Sequence, residues 1–508
     1  MDLKEKDLNQ LKEKNISTEE LKSQIDRFIN GVPDVQILRP ATINDGIIRF
    51  EQSDFDEFIS IYDHKNDVQV IKFVPASGAA TRMFKALHQF LDHTELKQND
   101  IQQNLKKEKF KLLQPLFKNV HQLAFYEQAL NVAKAKTAHF DSYTDHEKGL
   151  LILKYAIAED GLNLGHLPKG LIPFHQYDDQ TLTPFEEHLE EALAYAEKNA
   201  KVNLHFTISE GFDQNFDDTL NHYLNRQATK NVEYKVEYSY QKPSTDTIAV
   251  NTDDTPFRDD DGNLFFRPGG HGALIYNLNQ INADVIFIKN IDNISKKEKD
   301  KADTTTYKKA LGGHLLKLKT QLDEYLHLLE SGHVDKETLE KVKVFMTDNL
   351  NIAHPAEQQE DLFEQLNRPL RICGMVKAQG DPGGGPFWIK DKTGRESLQI
   401  VETSQMDLNN KDQKSKLDSA THFNPVDIVC SIKDHHGKSY GLLNYVNAER
   451  AFIANKSVDG HPIKALERPG LWNGAMEYWH SIFVEVPSST FNPVKTVIDL
   501  LKPAHQEK

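Results

Sequence analysis

The chain has 508 residues, enough for about three domains or one large elaborated fold, and 38% hydrophobic with 27% charged residues permits a substantial core. Its formal charge of -15 argues against non-specific binding to nucleic acid or membrane surfaces, because phosphate-rich partners call for a positive field. Two cysteines, Cys373 and Cys430, lie far apart without metal-type spacing, so neither a disulfide framework nor a zinc site follows from them. The charged opening MDLKEKDLNQLKEKN predicts no secretory signal, and no apolar run approaches the ~18 residues of a membrane span. A cytoplasmic protein without nucleic-acid or membrane partners is expected.

In chain order, residues 1–65 are polar, with Leu21, Ile25, Phe28 and Ile29 at helical spacing, and are read as a helical lead-in. DVQVIKFVPASG then predicts a buried strand running through a small-residue turn into the helix TRMFKALHQFL. Residues 86–167 are charged and helical in pattern, a helical insertion within a core spanning 66–295. VNLHFTIS and VEYKVEYSYQ alternate apolar with polar residues as half-buried strands do, and DVIFIK is a continuous apolar strand of the parallel-sheet kind. Residues 296–365 are highly charged and predict a second, solvated helical insertion. Residues 366–508 turn to Gly, Pro, aromatic and β-branched composition, predicting a smaller strand-rich portion. Strands alternating with helices make the fold class α/β with a doubly wound sheet.

Four groups of residues carry candidate chemistry. In PASGAATRMFK, Ser77, Gly78, Ala79, Ala80 and Thr81 form a small-residue turn whose N–H groups, at a helix start, suit an anion, and Arg82 adds full positive charge. Tight packing alone also explains such a turn. In LPKGLIPFH, Lys169 is held between Pro168 and Gly170 on a stiff backbone and can meet a phosphate as a point charge; an ordinary loop lysine is the plainer reading. RPGGHGALIYNLNQINADVIFIKNIDN puts Gly269, Gly270, His271 and Gly272 before a strand that ends at Asp292. Glycines there let backbone approach a base or ribose. A carboxylate at a strand's carboxyl end suits Mg²⁺, although Asp in a turn pair is also common. Further on, GMVK, DPGGGPFW, VETSQ, THFNP and FNPVKTVIDLL contain Gly374, Glu402, Asn424 and Lys495. Glu402 and Asn424 suit hydrogen bonds to sugar hydroxyls, and Lys495 follows Pro493 on a loop expected to enter the apolar helix VIDLL, although each piece alone reads as a loop or edge strand.

Taken in order, these pieces resemble the UDP-sugar pyrophosphorylases, that is, the UTP–glucose-1-phosphate uridylyltransferases and UDP-N-acetylglucosamine pyrophosphorylases. PASGAATRM is similar to that family's nucleotide loop, LPKGLIP to its Pro-Lys-Gly, and YSYQKP to its Gln-bearing strand end. RPGGHGAL is similar to its Pro-Gly-x-Gly turn, and IKNIDN to its Asp-Asn pair. IVETSQ, THFNPVD and FNPVKTVIDLL follow, similar to its Glu-Tyr-Ser, Phe-Asn and Pro-Val-Lys segments. The whole chain also resembles a bacterial family of unknown function. The first loop departs from the usual Gly-Gly-x-Gly-Thr, residues 86–167 separate it from Pro-Lys-Gly, and VETSQ lacks the tyrosine.

The resemblance implies a nucleotide-diphospho-sugar transferase core joining an NTP, UTP favoured, to a sugar 1-phosphate with release of pyrophosphate. It implies nucleotide binding by Ser77 to Thr81, Gln241, Gly270, His271 and Gly272, and sugar binding by Gly374, Glu402 and Asn424. Arg82, Lys169 and Lys495 would stabilise phosphate charge, and Asp292 would hold Mg²⁺. A catalytically silent nucleotide-binding protein of the same fold is the alternative, and a glycosyltransferase the more distant one.

Overall fold

The structure, a computed structural model, describes residues 3–227, 231–332, 334–378, 384–392 and 394–507. Residues 381–383 of the DPGGGPFW stretch lie outside the described residues. The chain forms two compact units, each made from three segments. The first takes Met1–Phe73, Ser239–Ile288 and Tyr307–Val486; the second takes Val74–Tyr238, Lys289–Thr306 and Pro487–Lys508.

Ten elements position the candidate residues. They are β1 (Val70–Pro75), α1 (Thr81–Asp92), α2 (Pro184–Tyr195), β2 (Lys201–Thr207) and β3 (Glu233–Ser239), followed by β4 (Val285–Lys289), α3 (Glu298–Glu330), β5 (Leu370–Lys377), β6 (His422–Ser431) and β7 (His480–Val486). In the first unit the main sheet runs in the order Thr42–Ile43, Gly46–Ile48, β7, β5, β6, β4, β1. β4 lies parallel to β1, with Val285 opposite Val70 and Ile288 opposite Phe73, and β5 lies parallel to β7. The β5–β6 pair is antiparallel by register. The fold is therefore α/β on a largely parallel sheet. Ile71, Phe73, Ile286, Ile288, Ile428 and Phe483 share one core cluster on that sheet.

The same apolar logic places the helices of the second unit. Met83, Phe84, Leu87 and Phe90 of α1 repeat at helical spacing and pack with Ile152, Leu153 and Ile157 from the stretch expected to be a helical insertion. That stretch is helical and shares its core with α1 and with Val494, Val497 and Leu500.

Two expectations are corrected. The lead-in is not wholly helical: Gln36–Pro40, Thr42–Ile43 and Gly46–Ile48 are strands between the helices Thr18–Asn30 and Gln52–His64. Val35 and Ile37 are buried with Phe387 and Ile389, so pairing to a strand far along the chain decides the local state. Nor is α3 a solvated insertion. Ala310, Leu311, Leu315, Leu318 and Leu322 are buried on one face, and Lys308 is fully buried in an ion pair with Asp427 of β6. A Cβ on Gly313 would stand 1.8 Å from the carbonyl oxygen of Phe58, so only glycine lets the two helices approach this closely.

Candidate functional site

In the second unit, the carboxyl end of β1 leads directly into the small-residue turn. The Ala76 N–H donates to the Thr207 carbonyl at 2.8 Å, and the Ser209 hydroxyl donates to the Ser77 carbonyl at 3.0 Å. The turn then pairs with the distant Pro-Lys-Gly motif. Ala79 bridges Pro168 in antiparallel fashion, the Lys169 N–H donates to the Gly78 carbonyl at 3.1 Å, and the Ala80 N–H donates to Leu167 at 3.2 Å. Two motifs separated by a helical insertion are thus one local structure. Among the described residues nothing lies within 4 Å of where a Gly78 Cβ would be, so the turn presents open space on that side.

β4 ends beside it. The Ile291 N–H donates to the Pro75 carbonyl at 3.3 Å, and Asp292 follows. The Lys169 ammonium donates to Asp292 Oδ2 at 2.7 Å and to the Val494 carbonyl at 3.0 Å. Both side chains of this pair keep some exposure, 15% and 20%, so the charges are reachable. The Phe-Asn-Pro-Val segment is stitched to the same place. Asn293 bridges Pro493, its Oδ1 accepts from the Asn492 N–H at 2.8 Å, and the Val494 N–H donates to the Asp292 carbonyl at 3.1 Å. Lys495 is the next residue.

Lys169, Asp292 and the start of the Lys495 segment therefore converge on one spot, with the small-residue turn alongside. Arg82 lies in the first turn of α1 and Lys495 beyond Val494; both are exposed, and neither side chain forms an ion pair among the described residues. The first turn of α1 holds no acidic residue and Ala80 supplies no side-chain cap, so its leading N–H groups are left for an anion. The absent family glycines cause no strain here, since Ala80 sits at φ -74° and ψ -4°, which alanine adopts readily.

One expectation at this spot fails. VIDLL is not an α-helix but a five-residue 3-10 turn, Val497–Leu501, capped by Thr496 and Asp499. A helix dipole therefore gives Lys495 no role; its solvent-exposed charge beside Val494 does. Sequence reading also missed His188 of α2, whose Nε2 lies 3.2 Å from the Asn290 and Ile291 carbonyls and fixes the approach to Asp292. A lone histidine in FEEHLEEALAY gives no signal of that.

The residues implied for base and sugar lie in the first unit. The His271 ring stacks on Trp472, centroids 4.3 Å apart, and Trp472 Nε1 donates to Glu402 Oε1 at 3.2 Å. Burial holds His271 below the ordinary imidazole range against the opposing pull of Glu402 and Glu467. Gly384 connects the sugar-side residues, because its carbonyl accepts from the Asn424 N–H at 2.8 Å and its missing Cβ faces Glu402 Cγ at 3.2 Å. Asn424 Oδ1 in turn accepts from the Val426 N–H at 3.0 Å. Val426 has φ +62°, a conformation a β-branched residue adopts only under constraint, where β6 bulges against β5. Gly374 sits on β5 opposite Asp427. Gln241 follows β3, next to the Tyr240 carbonyl that accepts from Asn277 at 2.9 Å. The close approach expected at Gly272 is occupied by the chain itself: a Cβ there would meet Arg468 Cβ at 2.6 Å and the Pro469 carbonyl at 2.9 Å. Its smallness serves packing.

The class these features define is an α/β fold whose strand ends gather a small-residue turn, a lysine and a carboxylate. The chain belongs to the family described as Domain of unknown function (DUF4301), which matches residues 4–506. Comparison with curated proteins gives no match. Among solved structures it is similar to UDP-glucose phosphorylase from Trypanosoma brucei, with a TM-score of 0.47 and 11% identity over 98% of this chain and 77% of that one. It is also similar to the uridine diphosphate N-acetylglucosamine pyrophosphorylase of the same organism, TM-score 0.46 and 11% identity over 95% and 74% of the two chains. For UDP-glucose pyrophosphorylase from Leishmania major the values are 0.44 and 11%, over 98% and 79%.

Proposed function

We infer that this protein is a nucleotidyltransferase that joins an NTP, UTP favoured, to a sugar 1-phosphate. A phosphate oxygen of the sugar phosphate attacks the α-phosphorus of the NTP, the bond to the β-phosphate oxygen breaks, and pyrophosphate leaves. No group on the protein must form a covalent bond, so positioning and charge neutralisation are the protein's contribution. The observation that carries this reading is the convergence of Lys169, Asp292 and the Val494–Lys495 segment beside the open side of Gly78.

The donor set fits Mg²⁺, which takes one or two carboxylates and completes its shell with phosphates and water. Asp292 is the residue to hold it, once Lys169 turns from the carboxylate to a phosphate oxygen. The ion would supply charge neutralisation on the nucleotide phosphates. Residues Ser77 to Thr81 bind the nucleotide at the start of α1, Arg82 and Lys169 oppose charge on the transferring phosphate, and Lys495 holds the sugar phosphate. We assign Gln241, Gly270 and His271 to the base, and Gly374, Glu402 and Asn424 to the sugar.

The test incubates the chain and Mg²⁺ with each NTP against a panel of sugar 1-phosphates and reads pyrophosphate. Turnover with at least one pair is expected, and none with any pair overturns the reading. A silent nucleotide-binding protein is the second reading, favoured by the Lys169–Asp292 pair, which already satisfies the carboxylate. It calls for thermal stabilisation by an NTP without product.

A further inference from the structure

A second cluster of chemically active side chains lies in the first unit and takes no part in the reaction above. His327 and Glu330 sit at i and i+3 in the last turn of α3, so both face one side. His435 and His436 follow one another in the turn after β6. Glu330 Oε2 lies 3.1 Å from His435 Nε2 and 2.9 Å from His436 Nε2. The His327 ring lies 4.8 Å from that of His435 and 5.4 Å from that of His436, centroid to centroid. One ligand atom from each of the four residues falls within 4.8 Å of all the others.

We propose that His327, Glu330, His435 and His436 form a binding site for a divalent transition-metal ion of the zinc type, which staples the end of α3 to the 434–438 turn. Three imidazoles and one carboxylate are the nitrogen and oxygen donors that Zn²⁺ prefers, and four protein ligands make a closed, structural site. The spacing agrees. Ligand atoms about 2.0–2.1 Å from a tetrahedral ion stand roughly 3.3 Å from one another, so the widest separation must shorten by about 1.5 Å. Exposed tips of His327, Glu330 and His436 can supply that movement by side-chain rotation.

The backbone under the site is already fixed. Asp434 Oδ1 accepts from the N–H groups of His436 at 3.0 Å and Lys438 at 2.9 Å, and Gly437 turns the chain with φ +76°. His435 is nearly enclosed, its side chain 3% exposed, and Phe363 packs edge-on against its ring. Glu330 is the last residue of α3, where the helix dipole disfavours a carboxylate and favours a cation. An ion at this point answers both charges.

The experiment uses the full chain without any histidine tag, freed of metal by chelation, and titrates it with Co²⁺ and then Zn²⁺. Expected is one Co²⁺ per chain with the intense visible absorption of a tetrahedral site, lost when one equivalent of Zn²⁺ is added. His436→Ala and Glu330→Gln should each weaken Co²⁺ binding at least tenfold, with circular dichroism confirming that they fold. Asp292→Asn should leave the spectrum unchanged, separating this site from the one proposed for Mg²⁺. Weak octahedral absorption in the wild type overturns the proposal without recourse to variants. Tetrahedral binding that both variants retain overturns it equally.

Discussion

Lys495 and Arg82 carry their charges into solvent, whereas the charge of Lys169 is held by Asp292 at 2.7 Å. That difference separates the expected effects of removing them. Lys495→Ala loses no side-chain partner among the described residues, so its melting temperature should stay within about 1 °C of wild type. KM for the sugar 1-phosphate should rise at least tenfold while that for the NTP moves little. Unchanged kinetics for both substrates would make Lys495 an ordinary surface lysine. Asp292→Asn keeps the shape and an amide oxygen within reach of Lys169 but removes the carboxylate charge that pairs with its ammonium. A partly exposed pair broken in this way costs about 1–3 kcal/mol, and turnover should fall roughly 100-fold or more. Pyrophosphate release measured beside a urea melt reads both effects. Lys169, Asp292 and Lys495 were legible in the sequence because short motifs with Pro or Gly at fixed offsets announce them. His188 was not, since its Nε2–H donates to two backbone carbonyls contributed from elsewhere in the chain.

At the scale of elements, the strands carrying the site were visible as apolar runs, and α1 as a 3.6-residue pattern. The character of α3 was hidden. Its charged residues outweigh its apolar face in any average over the segment, and the close approach at Gly313 depends on Phe58, far away in the chain. Gly313→Ala should therefore destabilise the first unit by about 3 kcal/mol or more, because a Cβ has no space against a backbone carbonyl. Gly78→Ala is the contrast. Its site is open, so stability should hold or rise by about 0.5 kcal/mol while nucleotide binding weakens. Equal melting temperatures for the two variants would refute this account of both glycines. The buried Lys308–Asp427 pair behaves differently again. Lys308→Met alone leaves a buried carboxylate unpaired and should cost about 3–5 kcal/mol, whereas adding Asp427→Leu should restore most of that loss.

For the molecule as a whole, the strongest consequence of burial is its response to acid. Burial pushes His314 and His480 down to about 4 and His505 to about 3, so the folded chain keeps these rings neutral where an unfolded chain would protonate them. The sign follows from proton counting. Between pH 6.5 and about 4 the unfolded state binds more protons, so stability falls as pH drops through that window and is fully present above it. Each such ring contributes a slope of up to about 1.4 kcal/mol per pH unit. His314 offers the cleanest test, because neither ring nitrogen has a hydrogen-bond partner among the described residues and the ring packs against Phe58 and Phe50 at 4.6 and 5.5 Å between centroids. Replacing it by phenylalanine removes the titrating group and keeps the aromatic contacts. His314→Phe should match or exceed wild-type stability at pH 7.5, and its loss of stability between pH 6.5 and 4.5 should be shallower by about 1 kcal/mol per pH unit. Urea melts across that range measure it, and a variant slope equal to wild type would mean that His314 is protonated in the folded chain.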